Sequence, residues 1–182
     1  MGFFQDVEKE AKNQKLQFLV IGGLAVIFHG YTRDTADLDL LVPTEDKDRW
    51  LALFGQMGYK TIAERTSFVQ LDPPAEGAWH VDLMLVKDES FVPMFEAAQP
   101  VEMYGAQLRI PSLNHLLALK LHALKNGHIE RFSKDLLDVE SLVRINAVDM
   151  SSEKVRQIFL KYGTLKLYEQ ISRFTSGEQS RD

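Results

Sequence analysis

The sequence predicts an α+β protein in which a mixed β-sheet flanked by helices is followed by a bundle of helices. Up to Ile110, short apolar segments bounded by glycine, proline or polar residues alternate with segments of helical periodicity. After Pro111 the apolar residues recur at helical spacing only. The chain has 182 residues and is 45% hydrophobic, so it is large enough to bury a core.

The first half alternates helices and strands. Helices are predicted at 3–14, 23–30 and 44–58, and strands at 16–22, 38–42, 59–64, 66–72 and 79–86. Thr44 is the expected N-cap of the third helix, because acidic residues follow it and a glycine ends the pattern. Residues 101–110 are expected to form a hairpin that turns at Gly105–Ala106. Together these elements predict a core domain over residues 1–110.

The second half consists of helical patterns. They cover 112–127, 130–146, 151–163 and 164–174. Ser112 is the expected N-cap of the first, and Gly127 lies at its end. The sequence therefore predicts a helical subdomain over 111–174, followed by a polar, flexible tail at 175–182.

Composition excludes several classes of function. The chain has no cysteine, so it has no disulfide and no thiolate chemistry, which fits a cytoplasmic protein. No apolar run approaches the ~20 residues of a membrane span, and we expect neither a membrane partner nor a secretory leader. The net charge of -5 argues against a general nucleic-acid coat protein.

One segment of the chain is basic, although the chain as a whole is acidic. From Arg109 to Lys134 there are five lysines or arginines and one acidic residue, Glu130. Such a stretch either holds a polyanion locally or is simply a solvated helix face.

Two carboxylates lie inside a strand that otherwise reads as buried. Asp37 and Asp39 are two residues apart, so they share one face of the strand, and their neighbours Leu38, Leu40 and Leu41 are apolar. Like charges placed so close repel unless a cation lies between them, and Mg²⁺ is the natural candidate. The alternative is that the pair begins the strand and caps a turn.

Asp82 provides a third carboxylate. It lies in the middle of the predicted strand at 79–86, among apolar neighbours, where strand propensity places aspartate poorly. If this strand adjoins the one with Asp37 and Asp39, the three carboxylates converge. Three converging carboxylates suit a two-metal site for phosphoryl transfer.

A glycine pair precedes these acids. Gly22 and Gly23 lie between a strand and a helix, where backbone N–H groups can approach a phosphate closely. Arg33 and Thr35 are placed to contact phosphate as well. Glycines are also common at strand–helix turns, and both polar residues would fit an ordinary surface loop.

These residues carry a family resemblance. The run "IGGLAVIFHGYTRDTADLDLLV" resembles the signature of the nucleotidyltransferase superfamily, which has the DNA-polymerase-β-like fold. The later segment "SLNHLLALKLHALKNGHIERFSKDLLDVESL" is similar to the helical part of the AbiEii/MenT-like branch, which includes toxins of toxin–antitoxin systems. Its matching residues are Lys120, Lys134, Asp135 and Asp138. The resemblance covers roughly residues 16–145.

The resemblance implies transfer of a nucleoside monophosphate from an NTP to an acceptor hydroxyl, with Mg²⁺ or Mn²⁺ as cofactor. It implies Asp37 and Asp39 as metal ligands and Asp82 as metal ligand and base. The residues implied to bind the nucleotide are Gly22, Gly23, Arg33, Thr35, Lys120 and Lys134. The implied acceptor is tRNA or another RNA, a protein or a small molecule, and the implied partner is a cognate antitoxin.

Lys120 has two possible roles. The residues around it at helical spacing are apolar, so it lies on the inward face of its helix, and Asp135 borders a buried stripe on the next helix. In one interpretation the two side chains pair and pin the helices together. In the other, Lys120 reaches the NTP phosphates and Asp135 orients it, as part of the catalytic machinery.

A second class of function stays open from the sequence. A catalytically silent relative would be a nucleotide-binding or protein-interaction module, such as one half of a toxin–antitoxin pair. The presence of all three carboxylates favours the enzyme.

Overall fold

The computed structural model describes residues 2–127 and 129–175. The chain divides into two compact units. The first contains the residues up to 25 together with 33–112, and the second contains 26–32 and the residues from 113 onward. Within the described ranges, none of the helices combines the length and apolar character needed to cross a membrane.

A five-stranded mixed sheet forms the centre of the first unit. Its strands are β1 (Leu19–Val20), β2 (Asp37–Pro43), β3 (Lys60–Glu64), β4 (Phe68–Asp72) and β5 (His80–Val86). They are ordered β1-β2-β5-β4-β3, and only the β2–β5 pair is parallel among these five. The predicted mixed sheet is therefore confirmed.

Apolar side chains at alternate positions of β2 and β5 form one buried face of the sheet. Leu38 pairs in register with Val81, and Leu40 pairs with Leu83. All four side chains are at most 1% exposed. Because successive side chains point to opposite faces, the acidic residues of both strands lie together on the other face.

Helices and a hairpin surround this sheet in the first unit. They are α1 (Phe3–Asn13), the start of α2 (Gly22–Phe28), a 3-10 turn (Thr44–Asp46), α3 (Lys47–Gln56) and α4 (Asp88–Glu96), with β6 (Gln99–Met103) and β7 (Ala106–Ile110). Trp50 and Phe54 are fully buried on α3, with ring centroids 5.9 Å apart. An aromatic pair four residues apart on one helix face thus anchors α3 to the core.

The second unit is helical in its described residues from 113 onward. Its helices are α5 (Leu113–Asn126), α6 (Ile129–Ile145), α7 (Glu153–Tyr162) and α8 (Leu165–Thr175). α5 packs against α6 and α7, and α8 also packs against α6 and α7. Residues that are fully buried in this core include Leu121, Val139, Leu142, Phe159 and Ile171. The expected C-terminal helical part is present.

The structure corrects several boundaries. The strand expected at 16–22 is reduced to β1, because the amide of Leu16 donates to Ala11 O and closes the end of α1. Thr44 is not an N-cap, since it lies in the 3-10 turn and α3 begins at Lys47. Helix α4 was not predicted, and Pro93 lies inside it.

The hairpin and the tail also differ from expectation. The turn lies at Tyr104–Gly105 and not at Gly105–Ala106, because Met103 pairs with Ala106. Thr175 belongs to α8, and the rest of the expected tail, 176–182, lies outside the described residues.

Candidate active site

Two of the three predicted acids lie side by side on the central strands. Asp39 on β2 pairs in register with Asp82 on β5, and both are half-buried. Asp37 pairs with His80, two positions nearer the start of both strands, and is exposed. Neighbouring strands are about 4.8 Å apart, so the Asp39 and Asp82 carboxylates project from one face at adjacent positions.

The first glycine of the pair faces one of these acids. Gly22 has φ +60°, in the left-handed region, and a Cβ added to it would lie 1.8 Å from Oδ2 of Asp39. The adjoining amide of Ile21 donates to the Asp39 carbonyl at 2.9 Å. No side chain fits between this backbone and the carboxylate, so the start of α2 is held directly against Asp39.

The second glycine meets the loop that leads into β2. A Cβ on Gly23 would lie 2.6 Å from Thr35 Oγ1 and 3.0 Å from Nη2 of Arg33. The Arg33 Nη1 group donates to the carbonyl of Asp34 at 3.0 Å. The structure thus brings the predicted phosphate-contacting residues together around the start of α2. We call Gly22, Gly23, Arg33, Thr35, Asp39 and Asp82 the glycine–carboxylate site.

Asp82 has a polar neighbour on β4 that was not predicted. Gln70 pairs in register with Asp82, and its Nε2 donates to Asp82 Oδ2 at 3.5 Å. Its signal was present, because Gln70 is the polar residue between two buried strand positions, Val69 and Leu71. His80 was also missed, and its Nδ1 lies 3.7 Å from Oδ1 of Asp72.

The donor set fits a hard divalent cation at the Asp39–Asp82 pair. Adjacent carboxylate oxygens are the ligands that Mg²⁺ prefers, and Mg²⁺ keeps water or phosphate in its remaining positions. Across residues 2–127 and 129–175, however, no three acidic or histidine side chains are arranged to hold one ion together. Asp37, two residues along the strand, would have to approach the pair to serve as a third ligand.

The helical unit contains a separate group of charges. Nζ of Lys120 lies 2.8 Å from Oδ1 of Asp135 and 2.7 Å from Oδ2 of Asp138. Lys120 and Asp135 are each 6% exposed and Asp138 is fully buried. Lys120 and Asp135 are in contact, as in the first of the two interpretations, and Asp138 joins them to form what we call the lysine–aspartate cluster. Lys134 is exposed on α6.

Comparison with known proteins gives structural matches only. No protein-family model matches the sequence, and no curated protein matches it. An antigenic nucleotidyltransferase-like protein from Paracoccidioides brasiliensis superposes with a TM-score of 0.56 at 12% identity, over 93% of this chain and 88% of the other. The chain has a nucleotidyltransferase fold.

An antibiotic adenylyltransferase and an antibiotic-resistance factor share this nucleotidyltransferase fold. The lincosamide antibiotic adenylyltransferase LnuA, in its lincomycin-bound form, matches with a TM-score of 0.55 at 15% identity, over 76% of this chain and 93% of the other. The antibiotic-resistance factor ANT(2'')-Ia matches with a TM-score of 0.56 at 15% identity, over 97% and 89%. The match to each covers most of both chains.

Proposed function

We propose that this protein is a metal-dependent nucleotidyltransferase that moves a nucleoside monophosphate from an NTP to an acceptor hydroxyl. The observation that supports it most strongly is the contact between the Gly22 backbone and the carboxylate of Asp39, which is itself in register with Asp82. Acids on adjacent strands beside a bare backbone can hold a metal–triphosphate complex against the reacting hydroxyl.

The proposed reaction conserves every atom. The acceptor oxygen attacks the α-phosphorus and forms the new P–O bond, the bond from that phosphorus to the bridging oxygen of the β-phosphate breaks, and pyrophosphate leaves. The carboxylate of Asp82 takes the hydroxyl proton. Bound Mg²⁺ or Mn²⁺, held by Asp37, Asp39 and Asp82, would neutralise charge on the phosphates and lower the pKa of the hydroxyl.

The residues around the start of α2 would hold the triphosphate. A Cβ at Gly22 would overlap Asp39 and one at Gly23 would overlap Thr35, so only bare backbone fits at the start of α2. The guanidinium of Arg33 adds a fixed positive charge suited to phosphate oxygens.

The nucleotide roles of Lys120, Lys134 and Asp135 stay a prediction. Lys134 is exposed and therefore accessible to a phosphate. Lys120 is enclosed by two carboxylates within its own unit, which is the arrangement of a structural ion pair. A direct contact of Lys120 with phosphate would require its ammonium to leave one of those partners.

The acceptor and the biological setting rest on different observations. LnuA was solved with lincomycin bound, which supports a small molecule as acceptor. Exposed Lys125, Arg131 and Lys134 support RNA, including tRNA, while a protein acceptor has no observation of its own. A role as a toxin with a cognate antitoxin rests on the sequence resemblance of the helical part.

The second candidate is a catalytically silent module of the same fold. The observation in its favour is that the described residues contain no group of three ligands already arranged for one ion. Such a module would bind a nucleotide or a protein without transferring the nucleotide.

A metal titration combined with a transfer assay separates the two candidates. Calorimetry with Mg²⁺ and Mn²⁺ should show binding to the wild type and none to Asp37→Asn/Asp39→Asn. The matched control is Asp48→Asn/Asp88→Asn, which removes two exposed acids of the same unit. Each α-labelled NTP is then incubated with Mg²⁺ and with total RNA, a protein extract or a small-molecule extract. Undiminished metal binding in the double variant, or no labelled product in any fraction, contradicts the enzyme.

A further inference from the structure

The acids of the glycine–carboxylate site belong to a longer row of side chains that crosses four strands. Asp39 on β2 pairs in register with Asp82 on β5. Gln70 on β4 pairs with Asp82 on one side and with Ala63 on β3 on the other. Residues that pair in register project from the same face of a sheet. We call these four residues the cross-strand row, which begins beside the Gly22 backbone and ends at the edge strand β3.

Ala63 reaches this row through an irregularity in the pairing of β3 with β4. Thr61 pairs with Leu71, so a regular register would bring Ile62 opposite Gln70. Instead the register shifts by one residue, as in a β-bulge, and Ala63 lies opposite Gln70. The pairing skips Ile62, which is 61% exposed. The shift thus places a methyl group in the row where a regular strand would place an isoleucine side chain.

The side-chain amide of Gln70 has one end engaged and one end open. Its Nε2 lies 3.5 Å from Oδ2 of Asp82, and an ionised carboxylate can only accept, so the nitrogen faces Asp82 and the amide oxygen faces away. Among the described residues no group donates to that oxygen, and the oxygen is not enclosed. Ala63, next in the row, adds only a methyl group on that side. The row therefore presents an accessible hydrogen-bond acceptor beside Asp82.

The register shift has a second consequence, on the other face of the sheet. It pairs Glu64 with buried Val69, and Oε1 of Glu64 accepts from Nζ of Lys47 at 2.6 Å. The side chains of this ion pair are 49% and 30% exposed, respectively. Ion pairs as exposed as this one contribute little to stability, so the pair alone does not account for the shift.

The order of the row determines the side from which an acceptor would approach. Gly22 lies at the β2 end of the row, against Asp39. In the proposed transfer, the backbone of Gly22 and Gly23 holds the phosphates at that end. The attacking and leaving oxygens lie roughly in line on opposite sides of the α-phosphorus. With the leaving pyrophosphate at the start of α2, the acceptor hydroxyl lies on the side of Asp82 and Gln70.

We propose that Gln70 and Ala63 form the acceptor subsite, and that the acceptor is a vicinal diol or a vicinal amino alcohol. This inference rests on the proposed nucleotidyl transfer. Asp82 takes the proton of the reacting hydroxyl, and the amide oxygen of Gln70 accepts from an O–H or N–H group. Paired residues have Cβ atoms about 5 Å apart, so the two groups that they contact are adjacent on the acceptor. Ala63 leaves room for the carbon that carries the second group.

Periodate tests the acceptor class, because it cleaves the carbon–carbon bond of vicinal diols and vicinal amino alcohols and leaves isolated hydroxyls intact. Total RNA, a protein extract and a small-molecule extract are each treated with periodate, quenched with sulfite, and then incubated with the protein, α-labelled NTP and Mg²⁺. Matched samples receive periodate that was quenched beforehand. Labelled product should form in at least one matched sample and be lost from the treated one.

The three fractions distinguish the sources of this chemistry. Loss of labelling in the RNA fraction identifies the 3′-terminal ribose as the diol, and loss in the small-molecule extract identifies a free diol or amino alcohol. Labelling that survives periodate overturns the acceptor class, while the proposed transfer stands. No labelled product in any matched sample rejects the proposed transfer, and this inference with it.

Two variants test the residues, with the labelled fraction diluted in steps to give an apparent KM for the acceptor. Ala63→Val fills the space beside Gln70 with a residue that suits a strand, so thermal stability should be unchanged or higher. Gln70→Leu keeps the bulk and deletes the amide. Each should raise the apparent KM for the acceptor roughly three- to tenfold and leave the KM for the NTP near its wild-type value. Ile62→Thr, at the skipped position, is the control and should change neither KM. A native acceptor KM in both variants, or a rise in the NTP KM instead, contradicts the subsite.

Discussion

The two charge groups of the molecule are built in opposite ways. In the lysine–aspartate cluster, residues from two packed helices enclose a lysine between two carboxylates, and all three side chains are at most 9% exposed. In the glycine–carboxylate site, Asp39 and Asp82 are only half-buried. The register of β2 and β5 places them side by side, and Gly22, which has no side chain, lies against Asp39.

This difference predicts different responses to substitution. A buried ion pair that loses one member leaves the other charged and desolvated, so the free energy of unfolding falls. A partly exposed carboxylate on a strand can be neutralised with little effect on folding, so its loss should change chemistry and spare the fold. Substitutions in the two groups can therefore distinguish a structural charge from a functional one.

The largest loss of stability is expected for Lys120→Met. Methionine keeps the length and apolar bulk of the lysine stem but leaves Asp135 and Asp138 buried with the lysine charge removed. The free energy of unfolding should fall by about 3–5 kcal/mol in urea denaturation. Lys125→Met, an exposed lysine of the same helix, is the control and should change it little.

The same Lys120→Met protein should be titrated with NTP under conditions where it is folded. Native affinity together with the loss of stability makes Lys120 structural. Stability close to that of the wild type, with strongly reduced NTP affinity, would reverse the comparison and support the phosphate-binding role.

Gly22→Ala comes next, with an expected loss of about 3 kcal/mol. The left-handed backbone and the overlap with Asp39 both oppose a Cβ there. Gly55→Ala is the matched control, because nothing lies within 4 Å of its added Cβ in the last turn of α3. That variant should gain roughly 0.5–1 kcal/mol in thermal unfolding. Equal effects of the two substitutions would mean that Gly22 does not face Asp39 as described.

Asp82→Asn should affect chemistry far more than folding. Its carboxylate is half-buried, and Gln70 can still contact an asparagine, so unfolding should change by no more than about 1 kcal/mol. If Asp82 is the base, transfer should fall by a factor of about 10² or more, while NTP binding weakens modestly. Asp48→Asn, with a side chain that is 91% exposed, should leave transfer unchanged. Full transfer activity in Asp82→Asn would return this residue to a structural role.

Much of the fold could be predicted because its periodicities are local. Apolar alternation located β2 and β5, and the helical spacing after Pro111 located the four C-terminal helices. Helix α4 was missed because Pro93 interrupts the pattern that would otherwise mark a helix. The turn at Tyr104–Gly105 was missed because tyrosine is a poor residue for that backbone conformation.

The site depended on which strands lie next to each other. Spacing alone placed Asp37 and Asp39 on one face, but only sheet order shows that Asp82 lies beside Asp39. Sheet order is also what brings Gln70 to Asp82, because the alternation on β4 shows only that Gln70 is the polar residue between two buried ones. Asp138 matched a helical motif in the sequence, yet its place beside Lys120 follows from the packing of α5 on α6.

The smallest expected effect is a difference in acid sensitivity between the two units. Burial, followed by the charge of Lys154, lowers the pKa of His115 on α5 below its ordinary value of 6.5. The unfolded chain therefore binds this proton more readily, so the stability due to neutral His115 is complete above pH 6.5 and is lost as the pH falls toward the lowered value. In the first unit, the hydrogen bond from Lys12 is the main cause that lowers the pKa of Glu8 below 4.5. Its contribution is therefore present above pH 4.5 and is lost only below it.

Hydrogen exchange measured from pH 7 to 4 should show protection in the helical unit weakening first, at a pH where the sheet unit is unchanged. His115→Gln should remove the early loss, and Glu8→Gln should remove only the later one. Simultaneous loss of protection in both units would show that their electrostatics are coupled and not separate.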